Sequence, residues 1–379
     1  MVVDLAESRK KIDVIDKQIV DLFEERMKVS SDVAKYKRST GKKVYDPERE
    51  NQKLEALRGM VNNDFNKTAV EDLFRQIMSI SRKYQYKELG AEALELPFRM
   101  VDKLSYDEDT RVVFFGDRGA YTEQAMVEFF GENISAYNKT TFAEVIEDVS
   151  GQRAKFGVLP IENTSTGGIT DIYDLLVDTD LTVVAEHVVK VEHALLGVPG
   201  ANVSDIKTVY SHPQGIMQCS EFLKAHPDMK AEKFLSTAGA ARKVSEDKDK
   251  SQGAIASKRA AKVFGLDILQ EEINSQSQNY TRFIVVSNQK VFLSNANKIS
   301  LSFEIKHEAG SLYNMLAAFY YNDLNMTKIE SRPIEGRNWE YRFFVDLEGN
   351  LLDPGVSNAL ECVMECTNKM QILGNIVTK

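Results

Sequence analysis

At 379 residues with a formal charge of −9, the chain is long enough for two or three domains. Its acidity argues against non-specific nucleic-acid binding, which needs a basic face. The hydrophobic content of 43% supports ordinary cores, and no window approaches about 18 uninterrupted apolar residues, so no membrane span is expected.

The charged N-terminus lacks the apolar run of a secretory signal, so a cytoplasmic setting is expected. Residues Leu5 to Tyr36 read as one long helix. Ile12, Ile15, Ile19, Leu22, Phe23 and Val33 share one face at about 100° per residue. Arg26 and Lys37 fall inside that apolar stripe, and Arg9 lies roughly 100° round, at its margin. Basic groups on an apolar seam are expected to be paired, for example by Glu50, or to await an anion. Asp46-Pro47 announces a second helix, with Asp as cap and Pro at the first helical position. Arg49 and Glu50 follow in its first turns, ahead of Leu54, Leu57 and Val61. A third helix is expected from about Thr68 to Tyr86. It carries Ser81 and Gln85 on the face of Val70, Leu73, Phe74 and Ile77.

On Arg9, Arg26, Lys37, Asp46, Arg49, Glu50, Ser81 and Gln85, whose order and spacing fit throughout, residues 1–90 resemble the all-helical chorismate mutase family. The resemblance implies two interlocked chains, with Arg9 reaching into the partner's site. It also implies a pericyclic rearrangement of dianionic chorismate to prephenate, with no nucleophile or cofactor. Catalysis then comes from holding the reactive conformer and stabilising charge on the breaking ether. Arg9, Arg26 and Arg49 would grip carboxylates. Lys37 and Gln85 would donate to the ether oxygen, Asp46 and Glu50 would hold a hydroxyl, and Ser81 would assist at a carboxylate.

Residues 91–110, with Pro97 and a charged run from Asp102 to Asp109, read as a tether. From Arg111 the pattern alternates strand and helix, the signature of parallel α/β units. Strands are expected at Val112–Phe115, Phe156–Leu159, Thr182–Glu186, Ala194–Gly197, Thr208–Tyr210, Gly253–Ala256 and Arg282–Ser287. The stretch Phe156 to Gly168 organises this region: a buried strand feeds a polar loop and then a helix, where open α/β sheets bind ligands. Pro160 is expected to end the strand, and Gly167 and Gly168 permit close approach to the backbone. The plainer reading is a Ser/Thr-rich turn that caps a helix. Ser211-His212-Pro213-Gln214 ends a strand and starts a helix carrying Gln218. Alone, His212 reads as a turn or packing residue, and Ser236 as a helix cap.

Together, Pro160 to Ser165, Ser211 to Gln214 and Thr281-Arg282-Phe283 make residues 111–288 resemble the prephenate dehydratase family. The resemblance implies two α/β lobes, similar to periplasmic binding proteins, with the substrate between them. The implied reaction removes carbon dioxide and hydroxide to give phenylpyruvate. Thr281 would serve the leaving hydroxyl and Arg282 a carboxylate. Glu162, Asn163, Ser211 and Gln218 would line the cleft, with Thr164 and Ser165 in the same loop. A threonine hydroxyl is a poor acid, so a water chain or Glu162 is expected to assist.

After a polar joint, Lys298 to Ile305 alternates as a half-buried strand should. A helix from Ser311 to Asn322, strands near Met326–Ser331 and Tyr341–Asp346, a helix near Ser357–Asn368 and a short last strand with Ile372 and Leu373 follow. The order βαββαβ predicts a ferredoxin-like sandwich over residues 298–377. Cys362 and Cys366 stand four apart on a helix without a nearby His and read as packing residues, not a metal site. The three cysteines and five histidines show no ligand spacing, and the sparse cysteines favour a reducing compartment. Glu330-Ser331-Arg332-Pro333 and Gly310-Ser311-Leu312-Tyr313 make this part resemble the ACT-type regulatory domain of phenylalanine-controlled enzymes. The first of these motifs matches in full. The second departs at Ser311 and Tyr313 from a common Gly-Ala-Leu-Val form. The alternative for Gly310 is a glycine turn without ligand. The three resemblances together imply a multidomain enzyme acting on chorismate and then prephenate, feedback-inhibited by L-phenylalanine, homodimeric, without cofactor or metal. The rivals are a non-catalytic amino-acid sensor, or a chain with one functional site.

Overall fold

The structure, a computed structural model, describes residues 4–42, 44, 46–89, 96–305, 307, 310–337 and 339–378. These form two compact units: residues 1–96 with 301–370, and residues 97–300 with 371–379. The side chain of Cys366 and the stretch 91–95 of the expected tether lie outside the described residues. Among the described residues no helix is long and apolar enough to cross a membrane.

Three helices open the chain: α1 (Leu5–Thr40), α2 (Pro47–Gly59) and α3 (Asp64–Leu89). At 36 residues α1 is about 54 Å long. Asp4 caps it by accepting from the backbone N–H groups of Ala6 and Glu7. It ends at Gly41, whose φ of 65° suits a residue without Cβ. Asp46 caps α2 as expected, accepting from the Arg49 N–H at 3.0 Å. Among the described residues the expected apolar face of α1 is not covered: Ile12, Ile15 and Ile19 are each more than half exposed.

In the second unit, strands β1 (Arg99–Val101), β2 (Arg111–Phe115), β3 (Ser135–Lys139), β4 (Phe156–Asn163), β5 (Gly167–Gly168) and β6 (Thr182–Lys190) come with helices α4 (Tyr121–Phe130), α5 (Phe142–Ser150) and α6 (Thr170–Val177). Strands β7 (His193–Gly197), β8 (Thr208–Ser211), β9 (Lys230–Lys233), β10 (Gln252–Ser257), β11 (Asp267–Gln270), β12 (Tyr280–Ser287) and β13 (Val291–Leu293) follow, with α7 (Pro213–Gln218), α8 (Ser220–Ala225), α9 (Thr237–Asp247) and α10 (Lys258–Phe264). One sheet has the order β3-β2-β4-β12-β6, with β5 paired to the end of β4. The other has the order β11-β7-β10-β8-β9. Phe114, Phe156, Val158 and Phe283 pack the first core. In the second, small residues such as Ala240, Ala241, Ala254 and Ala256 bring α9 close onto β10.

Three expectations need correction. The sheets are mixed, not parallel: β12 runs antiparallel to both β4 and β6, and β7 antiparallel to β10 and β11. The chain leaves the first sheet after β6 and re-enters it at Tyr280 in the opposite sense. Second, Pro160 does not end its strand; β4 continues to Asn163. Its pairing with β2 stops at Val158, and its register with β12 shifts between Pro160 and Glu162. Proline is thus accommodated at a bulge with no β2 partner beside it. Third, the expected tether contains β1, which pairs in parallel with β13.

The C-terminal part runs β14 (Lys298–Ile305), α11 (Ser311–Tyr320), β15 (Met326–Pro333), β16 (Tyr341–Glu348), α12 (Pro354–Cys366) and β17 (Thr367–Ile376). Its sheet order is β15-β16-β14-β17. The last strand is longer than expected, ten residues.

Candidate active sites

The helical region encloses a cavity of about 240 Å³. Arg26, Lys37, Asp46, Arg49, Glu50, Ser81 and Gln85 all line it. Arg9 does not; it sits exposed on the N-terminal half of α1. Arg26 Nη1 donates to Ser81 Oγ at 2.5 Å, and Ser81 Oγ donates to the Ile77 carbonyl at 2.9 Å. Lys37 Nζ donates to the Val44 carbonyl. Burial pulls the Arg26 and Lys37 cations below their ordinary proton affinity, against the opposing pull of Glu50 on both and of Asp46 on Lys37. Gln85 is 7% exposed, and its Oε1 has no hydrogen-bond partner among the described residues.

Sequence reasoning missed Lys53 and Arg82, which also line this cavity. The signal was there at helical spacing: Arg82 stands three residues before Gln85, and Lys53 three after Glu50, so each shares a face with a residue already singled out. Five cations then face two carboxylates around one small cavity. That balance suits a compact dianion.

In the second unit, Asn163 at the end of β4 lies opposite Thr281 on β12. Asn163 Nδ2 donates to Thr281 Oγ1 at 2.9 Å and to Asn279 Oδ1 at 2.9 Å. Asn163 Oδ1 accepts from the Ser165 N–H at 2.9 Å. Thr164 is tied to Tyr280, each donating its N–H to the other residue's oxygen at 2.9 Å. Thr164 and Ser165 are exposed, while Asn163 and Thr281 are buried.

Glu162 and Arg282 lie one residue along and face each other across the same strand pair. Successive side chains of a strand point to opposite faces. Glu162 and Arg282 are therefore on the other face of the sheet from Asn163 and Thr281. Arg282 stands 3.6 Å from Glu162 and 3.4 Å from Glu186, and Glu186 also pairs with Lys298. The alternation places Glu162, expected to assist Thr281, and Arg282, expected at a substrate carboxylate, on a different face from Asn163 and Thr281. Ser211 is corrected too: it has no exposure, and its hydroxyl donates to the Ile255 carbonyl at 2.7 Å, tying β8 to β10. Gln218 Oε1 accepts from His193 Nε2 at 2.9 Å, so Nε2 carries the ring proton. His193 Nδ1 then faces the Tyr121 hydroxyl at 3.0 Å. Burial holds His193 below its ordinary range. His212 caps α7 and Ser236 caps α9, the plainer reading of each.

A second cavity, of about 590 Å³, is lined by Gly310, Ser311, Leu312 and Tyr313, with Trp339 and Tyr341. Gly310 takes φ of 85° just before α11, a conformation that favours glycine. Glu330, Ser331, Arg332 and Pro333 are not among the lining residues. They lie on β15, at the edge of the sheet, separated from β14 by β16.

Two segments of the chain match known families. Residues 8–86 match the model for chorismate mutase type II, and residues 112–291 that for prephenate dehydratase. The chain is thus an isomerase joined to a carbon–oxygen lyase. A bifunctional chorismate mutase/prephenate dehydratase of Aquifex aeolicus is 31% identical over 375 residues, covering 98% of this chain and 97% of the relative. Accordingly, the chain belongs to the bifunctional chorismate mutase/prephenate dehydratase family. A solved prephenate dehydratase from Arthrobacter aurescens, in complex with L-Phe, is 27% identical, with a TM-score of 0.66 over 71% of this chain and 90% of that one. A structure described as a quorum-quenching acylase is 30% identical, also with a TM-score of 0.66, over 71% of this chain and 98% of that one.

Proposed function

We propose that the helical cavity rearranges chorismate to prephenate, and that Thr281 and Asn163 carry the conversion of prephenate to phenylpyruvate. The observation that carries the first step is the convergence of Arg26, Lys37, Arg49, Glu50 and Gln85 on one cavity. Arg26 and Arg49 grip carboxylates, with Ser81 assisting. Lys37 and Gln85 donate to the ether oxygen as its bond breaks, and Asp46 and Glu50 hold the ring hydroxyl. Gln85 presents its amide N–H₂ for this task. The reaction is unimolecular, so fixing the reactive conformer and stabilising the ether charge account for catalysis. Arg9 comes from a second copy of the chain. The exposed Ile12, Ile15 and Ile19 on α1 support a homodimer, since a second copy would cover them.

In the dehydratase step the bond from ring to carboxylate breaks, its electron pair completes the aromatic ring, and the ring hydroxyl leaves. Asn163 donates to Thr281 Oγ1, which leaves the threonine proton free to point at the departing oxygen. Water returns that proton, because the carboxylate of Glu162 is on the opposite face. The C-terminal region is an ACT-type, ferredoxin-like domain that binds L-phenylalanine beside Gly310–Tyr313. Support comes from its βαββαβ order and from the L-Phe complex of the Arthrobacter relative. The domains run 1–90, 111–288 and 298–377 in a cytoplasmic enzyme, and within the intervening 91–110 strand β1 belongs to the second unit.

Adding chorismate to the pure chain tests this directly. Loss of chorismate, transient prephenate and accumulation of phenylpyruvate are expected, slowed by added L-phenylalanine. Binding of phenylalanine with no turnover would leave the sensor reading standing.

A further inference from the structure

Arg82 is not among the residues that the mutase resemblance supplies, yet it lines the mutase cavity. It is 8% exposed. Its Nη1 donates to Glu50 Oε2 at 2.5 Å, and its Nη2 lies 3.3 Å from Cys362 Sγ. Cys362 belongs to α12 of the C-terminal domain and is 5% exposed. Two further contacts join the same parts of this unit: Lys83 pairs with Asp323, and Gln76 Nε2 lies 3.5 Å from the Tyr313 hydroxyl. Helix α12 packs along α3 at this place.

We infer that Arg82 is a positioning residue of the mutase pocket: it holds the Glu50 carboxylate in place and is itself placed by Cys362 of the C-terminal domain. The inference rests on the reading of Glu50 given above. The guanidinium is a planar fork whose nitrogens donate in fixed, different directions. One arm meets the carboxylate while the other meets the sulfur. A lysine would supply the charge but could not bridge both groups. With the cation gone, Glu50 loses the partner that fixes it, and the substrate hydroxyl meets a carboxylate free to turn. The hydroxyl contact is made in bound substrate and transition state alike, so its loss falls on KM.

The test is chorismate kinetics on the full chain, with prephenate turnover by the same preparation reporting the fold. Arg82→Met should raise the mutase KM about tenfold with kcat within about threefold. Arg82→Lys should recover at least half of that loss on a logarithmic scale. Cys362→Ala should raise KM about threefold in the natural background and not at all in the Arg82→Lys background, the coupling expected of one bridge. A natural KM in Arg82→Met, beside a damaged Glu50→Gln, would overturn the inference and leave the pocket reading intact. A natural KM in Cys362→Ala would overturn it too, and this variant decides the matter if Arg82→Met loses both activities. Undisturbed mutase kinetics in Glu50→Gln would overturn the pocket reading and this inference with it.

Discussion

The mutase cavity and the dehydratase strand ends encode their chemistry in opposite ways. The proposed mutase residues are scattered over three helices and nearly fifty residues of sequence separate Lys37 from Gln85, yet they converge on one cavity. The members of the pairs Glu162-Asn163 and Thr281-Arg282 are adjacent in sequence, yet the sheet sends each pair to two faces. On a helix, a polar residue that keeps the apolar period is marked for the buried side. On a strand, neighbours are separated by the pleat, so a contiguous motif mixes residues of different purpose.

Substitutions at the two sites separate these two kinds of encoding. The largest effect is expected at Lys37. Lys37→Ala removes a preorganised donor and should lower mutase kcat by about 10²–10³, or about 2.7–4 kcal/mol of barrier, with prephenate turnover untouched. Next comes the Asn163–Thr281 face. Thr281→Ala should lower dehydratase kcat by about 10². Asn163→Ala should cost somewhat less, and the double variant no more than Thr281→Ala alone, because the two share one hydrogen bond. The opposite face should be far quieter. Arg282→Gln and Glu162→Gln break an ion pair whose members are each about a third exposed, so a change of less than about threefold in dehydratase kcat/KM is expected. A loss at Arg282 matching that at Thr281 would erase the distinction between the faces.

The smallest effect is on stability. Burial depresses the folded-state proton affinity of His193 below its unfolded value. A depressed group contributes stability that is present above the unfolded pKa of about 6.5 and is lost as pH falls through the lower folded value. Thermal unfolding followed from about pH 7.5 to about pH 5 should show Tm falling in acid, and His193→Gln should flatten that fall.

The first three helices, the Asp46 cap and the seven residues that line one helical cavity were legible because spacing and capping are local properties. The antiparallel course of β12 was not, since it depends on where the chain returns after building a second sheet. Pro160 misled for a related reason: whether a strand tolerates proline depends on the neighbour it lacks there, and β2 ends short of it. Ser211 looked like a site residue because it stands beside His212 and Gln214 at a strand end. Its burial against Ile255 is a long-range fact. Arg82 shares a helix face with Gln85, but its contact with Cys362, 280 residues away in sequence, was not legible.

One chain is proposed to hold two separate sites, each resting on named hydrogen-bond donors. Chorismate turnover by Thr281→Ala tests it most directly. Chorismate should disappear at the natural rate while prephenate accumulates and phenylpyruvate forms about 10²-fold more slowly. Phenylpyruvate appearing at the natural rate would contradict it.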